Sequence, residues 1–232
     1  MPALVNRRLW LDRCRAEAVA FFDTGAGTYD SKAGRITKMQ RRFVRRLIES
    51  CPSGARVLDA PIGSGRYLPM MLAAGLRVVG IDQSAGMLAR ARAKGPSVPL
   101  YRIGLQELAA VDAFDGALCT DSLEFIPPEW WPLVLGNLKR ALRPGGLLYL
   151  TVGQFCEHCV RESFDKETVA GLPVVPGEYL VPGDDKLQYR FYPPAYWEAD
   201  RLADAGFEIV EEARSVEGEY REWHLLLRGL TE

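Results

Sequence analysis

Two acids and two glycines, set at the ends of short apolar runs, are the residues of this chain best placed to do chemistry. Asp59, Gly63 and Gly65 fall within Val57-Leu58-Asp59-Ala60-Pro61-Ile62-Gly63-Ser64-Gly65-Arg66, and Asp82 closes Val78-Val79-Gly80-Ile81-Asp82. Glycine lacks a Cβ, so a ligand can come close to the backbone at 63 and 65. An acid at the end of the following strand can accept two hydrogen bonds from a ribose diol. A nicotinamide-binding loop would carry a third glycine at position 68, where Leu68 stands. Asp59, an acid ending the first strand, suits a positively charged amine, reached directly or through water. Candidates for moving a proton are few. The chain has two histidines, His158 just after the fifth apolar run and His224 between Trp223 and Leu225. Glu124 follows the fourth run, where it could face a ligand or pair locally. Cys156-Glu157-His158-Cys159 invites a metal reading, but zinc takes about four ligands. Cys14, Cys51 and Cys119 offer no second paired spacing, so no metal site is expected.

Those residues need a scaffold, and the hydropathy pattern supplies one. From Arg56 onward, short apolar runs (Val57-Leu58, Leu76–Ile81, Val98–Ile103, Phe114–Cys119, Leu147–Val152) alternate with helical stretches at Tyr67–Ala74, Ser84–Lys94 and Trp130–Leu142. That rhythm indicates βαβ units around a buried parallel sheet. Arg143-Pro144-Gly145-Gly146 reads as a helix stop and turn. Ahead of the sheet, two helices are expected, from Arg7 to Phe22 and from Ile36 to Ser50, with Asp23–Thr28 breaking the first. After Gly153 the rhythm lapses until about Gln188, with Pro173, Pro176, Gly177, Pro182 and Gly183 in the gap. A stretch of that length in a compact domain is usually functional, such as a cap. A helix from about Pro194 to Ala205 and two final strands, Phe207–Ala213 and Tyr220–Leu227, complete the pattern. Their short turn makes the last two an antiparallel hairpin.

At this point the chain resembles the class I S-adenosylmethionine-dependent methyltransferases. Val-Leu-Asp-x-x-x-Gly-x-Gly-Arg is similar to their first motif, and Gly80-Ile81-Asp82-Gln83-Ser84 to the second. The stretch from Asp115 to Ile126 resembles the fourth-strand motif, and Leu138 to Gly146 the helix and turn before their fifth strand. Together these cover roughly residues 55–153. One departure is clear: the family's first glycine after the acid is Pro61 here, which lacks an N–H and fixes φ. The resemblance implies S-adenosyl-L-methionine as cofactor. It puts Asp59, Gly63, Gly65 and Thr120 along the methionine portion, and Asp82 on the ribose hydroxyls. Gln83 and Met87 would flank the adenine. Leu105 stands where the family often has an acid, leaving Gln106 to compensate. Tyr29 resembles an N-terminal tyrosine that closes over the cofactor, with ordinary packing as the other reading. His158 and Tyr29 are the candidate catalytic groups.

The implied architecture is one α/β domain spanning 1–232, a seven-stranded, mostly parallel sheet flanked by helices and ending in an antiparallel hairpin. N-terminal helices (1–50) would form a lid, and a cap (154–187) would lie between strands five and six. The expected reaction is methyl transfer to a small organic acceptor, releasing S-adenosylhomocysteine. A cyclase or other non-methylating enzyme on the same fold, or a non-catalytic cofactor-binding module, stays open as an alternative. Composition narrows the partners. The 232 residues are 48% hydrophobic and 25% charged, with Lys+Arg 29 against Asp+Glu 30 and a formal net charge of −1. That balance gives no global attraction to nucleic acid or acidic membranes. Lys38, Arg41, Arg42, Arg45 and Arg46 cluster, but mostly on one solvated helix face. No apolar run approaches the roughly 18 residues of a membrane helix. The N-terminus does not read as a secretory signal, and an odd number of cysteines favours a reducing, cytoplasmic setting. A small-molecule substrate is expected, and a homodimer is left open.

Overall fold

A computed structural model describes residues 6–32, 34–181, 188–193, 202–218 and 220–230. The apolar runs form strands β1 (Arg56–Asp59), β2 (Arg77–Ile81), β3 (Leu100–Tyr101), β4 (Phe114–Cys119), β5 (Leu142–Gln154), β8 (Phe207–Glu217) and β9 (Tyr220–Gly229). They make one seven-stranded sheet in the order β3-β2-β1-β4-β5-β9-β8. Pairings from β3 to β5 are parallel, whereas β9 runs antiparallel to β5 and β8 antiparallel to β9. The mostly parallel sheet with its final hairpin is therefore as expected.

Helices cover both faces, because strand side chains alternate between them. Val57, Leu147, Tyr149 and Leu226 join one apolar cluster, while Leu58, Leu148, Leu150, Leu225 and Leu227 join the other. The first is closed by α2 (Lys38–Ser50) through Phe43, Val44 and Leu47, and by α3 (Leu68–Ala73) through Leu68 and Met71. The second is closed by α5 (Trp131–Ala141) through Val134, Leu135 and Leu138. Helix α2 starts at a capping box, with Thr37 Oγ1 accepting from the Gln40 amide and Gln40 Oε1 from that of Thr37. Helix α4 (Ala85–Lys94) has the anticipated cap, Ser84 Oγ accepting from the Met87 amide at 3.1 Å.

Several expectations need correction. The break at Asp23–Thr28 does not occur: α1 runs unbroken from Arg7 to Lys32, with Gly25 and Gly27 inside it. Each interior glycine costs about 1 kcal/mol relative to alanine, and packing offsets that cost here. Asp23 Oδ1 accepts from Ser84 Oγ at 2.6 Å and from the Gly86 amide at 2.9 Å. The two helices approach so closely that a Cβ at Gly86 would stand 2.9 Å from that of Ala26. The segment after Gly153 is not structureless either. It holds α6 (Glu157–Val169) and the antiparallel pair β6 (Glu178–Val181) and β7 (Gln188–Phe191). The helix stops at Ala141 as expected, and residues 142–146 bulge within β5, Gly145 standing at φ 75°, with a register shift opposite Phe114 and Gly116. Arg143 there pairs with Asp115, whose other oxygen accepts from the Arg56 amide at 2.7 Å. The helix expected from Pro194 lies mostly outside the described residues; 202–204 are helical.

Candidate active site

The loop after β1 is tied to β2 by the Ile62 amide, which donates to the Ile81 carbonyl at 2.8 Å. Asp82, next along β2, completes the tie. Its Oδ2 accepts from the Gly63 amide at 2.9 Å and its Oδ1 from the Ser84 amide at 2.8 Å. Asp82 is thus a buried group, not the exposed strand end that its position suggests, and burial raises its pKa against the pull of those amides. The two glycines divide their work. Gly63, at φ 54°, lines a cleft, and nothing stands within 4 Å of where a Cβ would be. Gly65, at φ 73°, lies behind it, where a Cβ would meet Leu68 Cδ1 at 2.7 Å and Ala91 Cα at 3.1 Å. Gly65 therefore lets α3 and α4 converge and is not on the cleft wall, contrary to its expected contact.

The cleft encloses about 1310 Å³ with its mouth and lies at the carboxyl ends of β1, β2 and β4. Ligands bind at such strand ends in open α/β sheets. Tyr29, Asp59, Gly63, Asp82, Gln83, Met87, Gln106 and Thr120 all line it, so one wall gathers eight of the positions singled out by sequence. At one end, Asp59 is 2% exposed and its Oδ2 has no hydrogen-bond partner among the described residues. Burial raises its pKa well above the usual carboxylate range, with Arg66 pulling the other way. Arg66 donates to Asp121, which stands at φ 48° with its amide bound to Thr151 Oγ1 at 2.9 Å. Burial alone would raise the Asp121 pKa; Arg66 and the hydrogen bonds from Glu222 and Gln40 together hold the group below its ordinary value. Gln40 Nε2 reaches the same carboxylate at 3.2 Å.

At the other end, Gln106 presents Oε1 without a partner among the described residues. The short 3₁₀ turn that carries it, Leu105–Glu107, is held by Asn137 Nδ2, which donates to the carbonyls of Leu105 and Gln106. Gln83 accepts from Arg15 Nε at 2.7 Å, and Met87 is buried. Helix α1 supplies this side of the wall through Leu11, Arg15, Val19, Phe22 and Tyr29. Asp30 fixes its end, accepting from Lys94 Nζ at 2.8 Å, Ser64 Oγ at 2.6 Å and Arg90 at 3.0 Å. Tyr29 packs edge-on against Phe22, ring centroids 6.2 Å apart, and burial raises its phenol pKa.

The histidines are not in the cleft. Strand β5 runs to Gln154, so His158 falls in the first turn of α6, with a 73% exposed side chain 3.3 Å from Glu162. It is not among the residues that line the cleft, which counts against its candidacy as a catalytic group. His158→Ala should accordingly leave cofactor affinity, turnover and melting temperature within experimental error, read by calorimetry and thermal denaturation. His224 is fully buried on the α2 face, stacked on Phe43 at 5.6 Å, with Nδ1 2.9 Å from Tyr149 Oη and Nε2 2.8 Å from Ser215 Oγ. Burial pushes its pKa down to about 4, so it is neutral at physiological pH. Among the described residues, no group of three or more His, Cys, Asp or Glu is arranged to hold a metal, and no helix is long and apolar enough to cross a membrane. Sequence reasoning passed over Asp121, Arg15 and Phe22. Only the helical spacing of the last two offered a signal.

A doubly wound sheet of this order, with an acid-tipped first strand, a glycine turn and an acid ending the second, defines a nucleotide-binding α/β protein. Comparison with known proteins narrows the class. Residues 57–146 match the family model described as "Methyltransferase domain". The malonyl-[acyl-carrier protein] O-methyltransferase of Pectobacterium atrosepticum is 33% identical over 129 residues, covering 55% of this chain and 49% of that protein. The enzyme of the same name from Erwinia pyrifoliae is 32% identical over 187 residues, covering 75% of this chain and 66% of that one. Among solved structures, the Burkholderia thailandensis 1,6-didemethyltoxoflavin-N1-methyltransferase with bound 1,6-didemethyltoxoflavin and S-adenosylhomocysteine superposes with a TM-score of 0.68 at 21% identity. That superposition covers 100% of this chain and 93% of the other. The domain match, the relatives and the fold support a class I S-adenosylmethionine-dependent methyltransferase. The chain spans about half the length of the first curated relative it matches.

Proposed function

We propose that the protein transfers a methyl group from S-adenosylmethionine to a small organic acceptor, releasing S-adenosylhomocysteine. The observation that carries this reading is the distribution of unsatisfied polar atoms along one cleft. Asp59 Oδ2 and Gln106 Oε1 are buried without partners at its two ends, and Asp82 stands between them. A buried acceptor left unpaired costs about 1–3 kcal/mol. A ligand with an ammonium at one end, a diol in the middle and an amino-bearing base at the other satisfies all three. The residues fit S-adenosylmethionine, which supplies an electrophilic methyl on a sulfonium. Asp59 and Thr120 would hold the amino-acid portion, Asp82 the ribose, and Gln83, Met87 and Gln106 the adenine. The protein's share of the rate is positioning, and alignment alone is worth on the order of 7–11 kcal/mol in favourable intramolecular models.

Helix α1 and the segment 154–187 serve as lid and cap in this reading. Support comes from α1 lining the cleft and from the clamp of Asp30 on Lys94, Arg90 and Ser64. The odd number of cysteines in the chain favours a reducing, cytoplasmic setting. The relatives named above are O- and N-methyltransferases, which favours methyl transfer over cyclisation or passive binding. Titration calorimetry should show S-adenosylmethionine and S-adenosylhomocysteine binding, with NAD as the control that does not. Turnover on an acceptor panel should release S-adenosylhomocysteine. Release of methylthioadenosine instead would mark attack by the amino-acid portion, and preference for NAD would remove the cofactor assignment.

A further inference from the structure

The turn that follows β4 buries a carboxyl group for which cofactor binding has no use. Glu124 sits in the middle of the 3₁₀ turn Leu123–Phe125, only 7% exposed, and its Oε2 has no hydrogen-bond partner among the described residues. Buried polar atoms are nearly always paired, so an orphan of this kind marks a place where something else binds. Its chain neighbours Ser122 and Phe125 both line the cleft, as does Asp121. The charged and titratable groups facing it are Asp121 and Cys119 from β4 and its end, Arg66 from the glycine loop and Tyr29 from α1. Arg190 of β7, Tyr192 just beyond it and Tyr220 of β9 form a second side within electrostatic reach of it.

That second side is built of rings. Tyr192 stacks on Phe155 at 5.5 Å and meets Tyr220 edge-on at 6.5 Å, while Phe155 and Tyr179 lie 5.3 Å apart. Phe125, beside the carboxyl, contacts Phe22 of α1 at 5.0 Å. The Arg190 guanidinium lies 4.0 Å over the Phe125 ring and donates to the Tyr189 carbonyl at 2.8 Å. Those are its described contacts, and no carboxylate is among them. A carboxyl group and a guanidinium thus meet at Phe125, itself a lining residue of the cleft, and a set of flat apolar faces stands on the neighbouring segments.

We propose that Glu124 takes the proton from the methyl acceptor, and that Arg190 and the surrounding rings make this an acceptor subsite for a flat aromatic molecule bearing an ionisable hydroxyl. The inference rests on the methyl-transfer reading. A neutral hydroxyl is a poor nucleophile until its proton leaves, so an O–H acceptor is the kind that needs a base here. In the balanced step the acceptor oxygen bonds to the methyl carbon while the carbon–sulfur electron pair returns to sulfur. The hydroxyl proton passes to Glu124 Oε2 and from there to solvent. Burial, then the charge of Asp121, raise the Glu124 pKa to about 7, which keeps a useful fraction ionised at neutral pH. Arg190 would stabilise the developing phenolate or a carboxylate on the same ring.

The test uses the full chain with 3,4-dihydroxybenzoate as probe acceptor. S-adenosylhomocysteine release, its binding by calorimetry, and carbon NMR of glutamate-labelled protein are the readouts. The rate should rise with pH along a limb centred near 7, since the carboxyl must be ionised to accept a proton. Glu124→Gln should abolish that limb and lower kcat by about a hundredfold or more, with S-adenosylhomocysteine affinity unchanged. Arg190→Met should raise KM for the probe about tenfold or more. One glutamate carboxyl resonance should titrate near neutrality, shift when the probe joins the S-adenosylhomocysteine complex, and vanish in Glu124→Gln. Retention of both kcat and the limb in Glu124→Gln would overturn the proposal. So would a wild type that binds S-adenosylhomocysteine yet neither methylates the probe nor shifts that resonance, and in that case the methyl-transfer reading stands. Failure to bind S-adenosylhomocysteine sinks the methyl-transfer reading itself and this inference with it.

Discussion

Asp82→Ala should weaken S-adenosylmethionine binding about ten- to a hundredfold and lower the melting temperature as well. An ionised carboxylate has about four lone-pair sites. The fold uses one on each oxygen, for the amides of Gly63 and Ser84, and Asp82 also lines the cleft. Losing two hydrogen bonds to a charged acceptor, partly replaced by water, costs roughly 1.5–3 kcal/mol of binding. The fold loses something too. With Asp82 only 9% exposed, truncation leaves two loop amides without their acceptor, a cost of about 1–3 kcal/mol. For a chain of this size that is about 2–12 °C in melting temperature. The strand-end position alone suggests an unchanged melt, and the two amide bonds reverse that expectation. Calorimetry and thermal denaturation of the cofactor-free proteins separate the two effects. Unchanged affinity would remove Asp82 from the ribose.

Arg66→Met should destabilise the protein by about 2–4 kcal/mol, and a second change, Asp121→Asn, should restore most of the loss. The Arg66 side chain is 11% exposed, sits 4.8 Å over the Tyr67 ring and binds Asp121. Removing one partner of a buried pair costs about 3–5 kcal/mol because the other charge is stranded. The Asp121 side chain keeps some solvent, so the lower figure applies. Asparagine tolerates the left-handed backbone at 121 and carries no charge to strand. Glu222, whose pKa is raised by burial and by Asp121, lies behind the pair and would otherwise add to the repulsion. The signature is non-additivity: the double variant should melt above the Arg66→Met single. Strict additivity would mean that the pair is not coupled.

The strands and the cleft wall were legible for a common physical reason. A buried parallel strand must be continuously apolar, and Val57-Leu58 and Val78-Val79 satisfy that without reference to the rest of the chain. Acids and glycines at strand ends are then read by position. What stayed hidden depended on tertiary contact. Gly25 and Gly27 look like a break, and only the packing of α1 on α4 keeps the helix intact. Helix α6 buries Val160 and little else, so it has no apolar stripe to betray it. Gly65 and Gly63 share a motif but face opposite ways, which spacing cannot separate. His158 and His224 drew interest by rarity, and rarity says nothing of where a side chain points.

The cleft draws its walls from segments with very different obligations to the rest of the molecule. Asp59, Gly63, Asp82 and Thr120 belong to strands and turns whose backbone also builds the sheet, so substitutions there are felt throughout the fold. Phe22, Tyr29 and Arg15 stand on α1, which among the described residues donates no backbone hydrogen bond to any strand. Variation in that helix can therefore accumulate without being felt through the sheet. A lineage, or an engineer, can reshape such a cleft by recasting one helix, leaving the sheet and its strand-end acids in place.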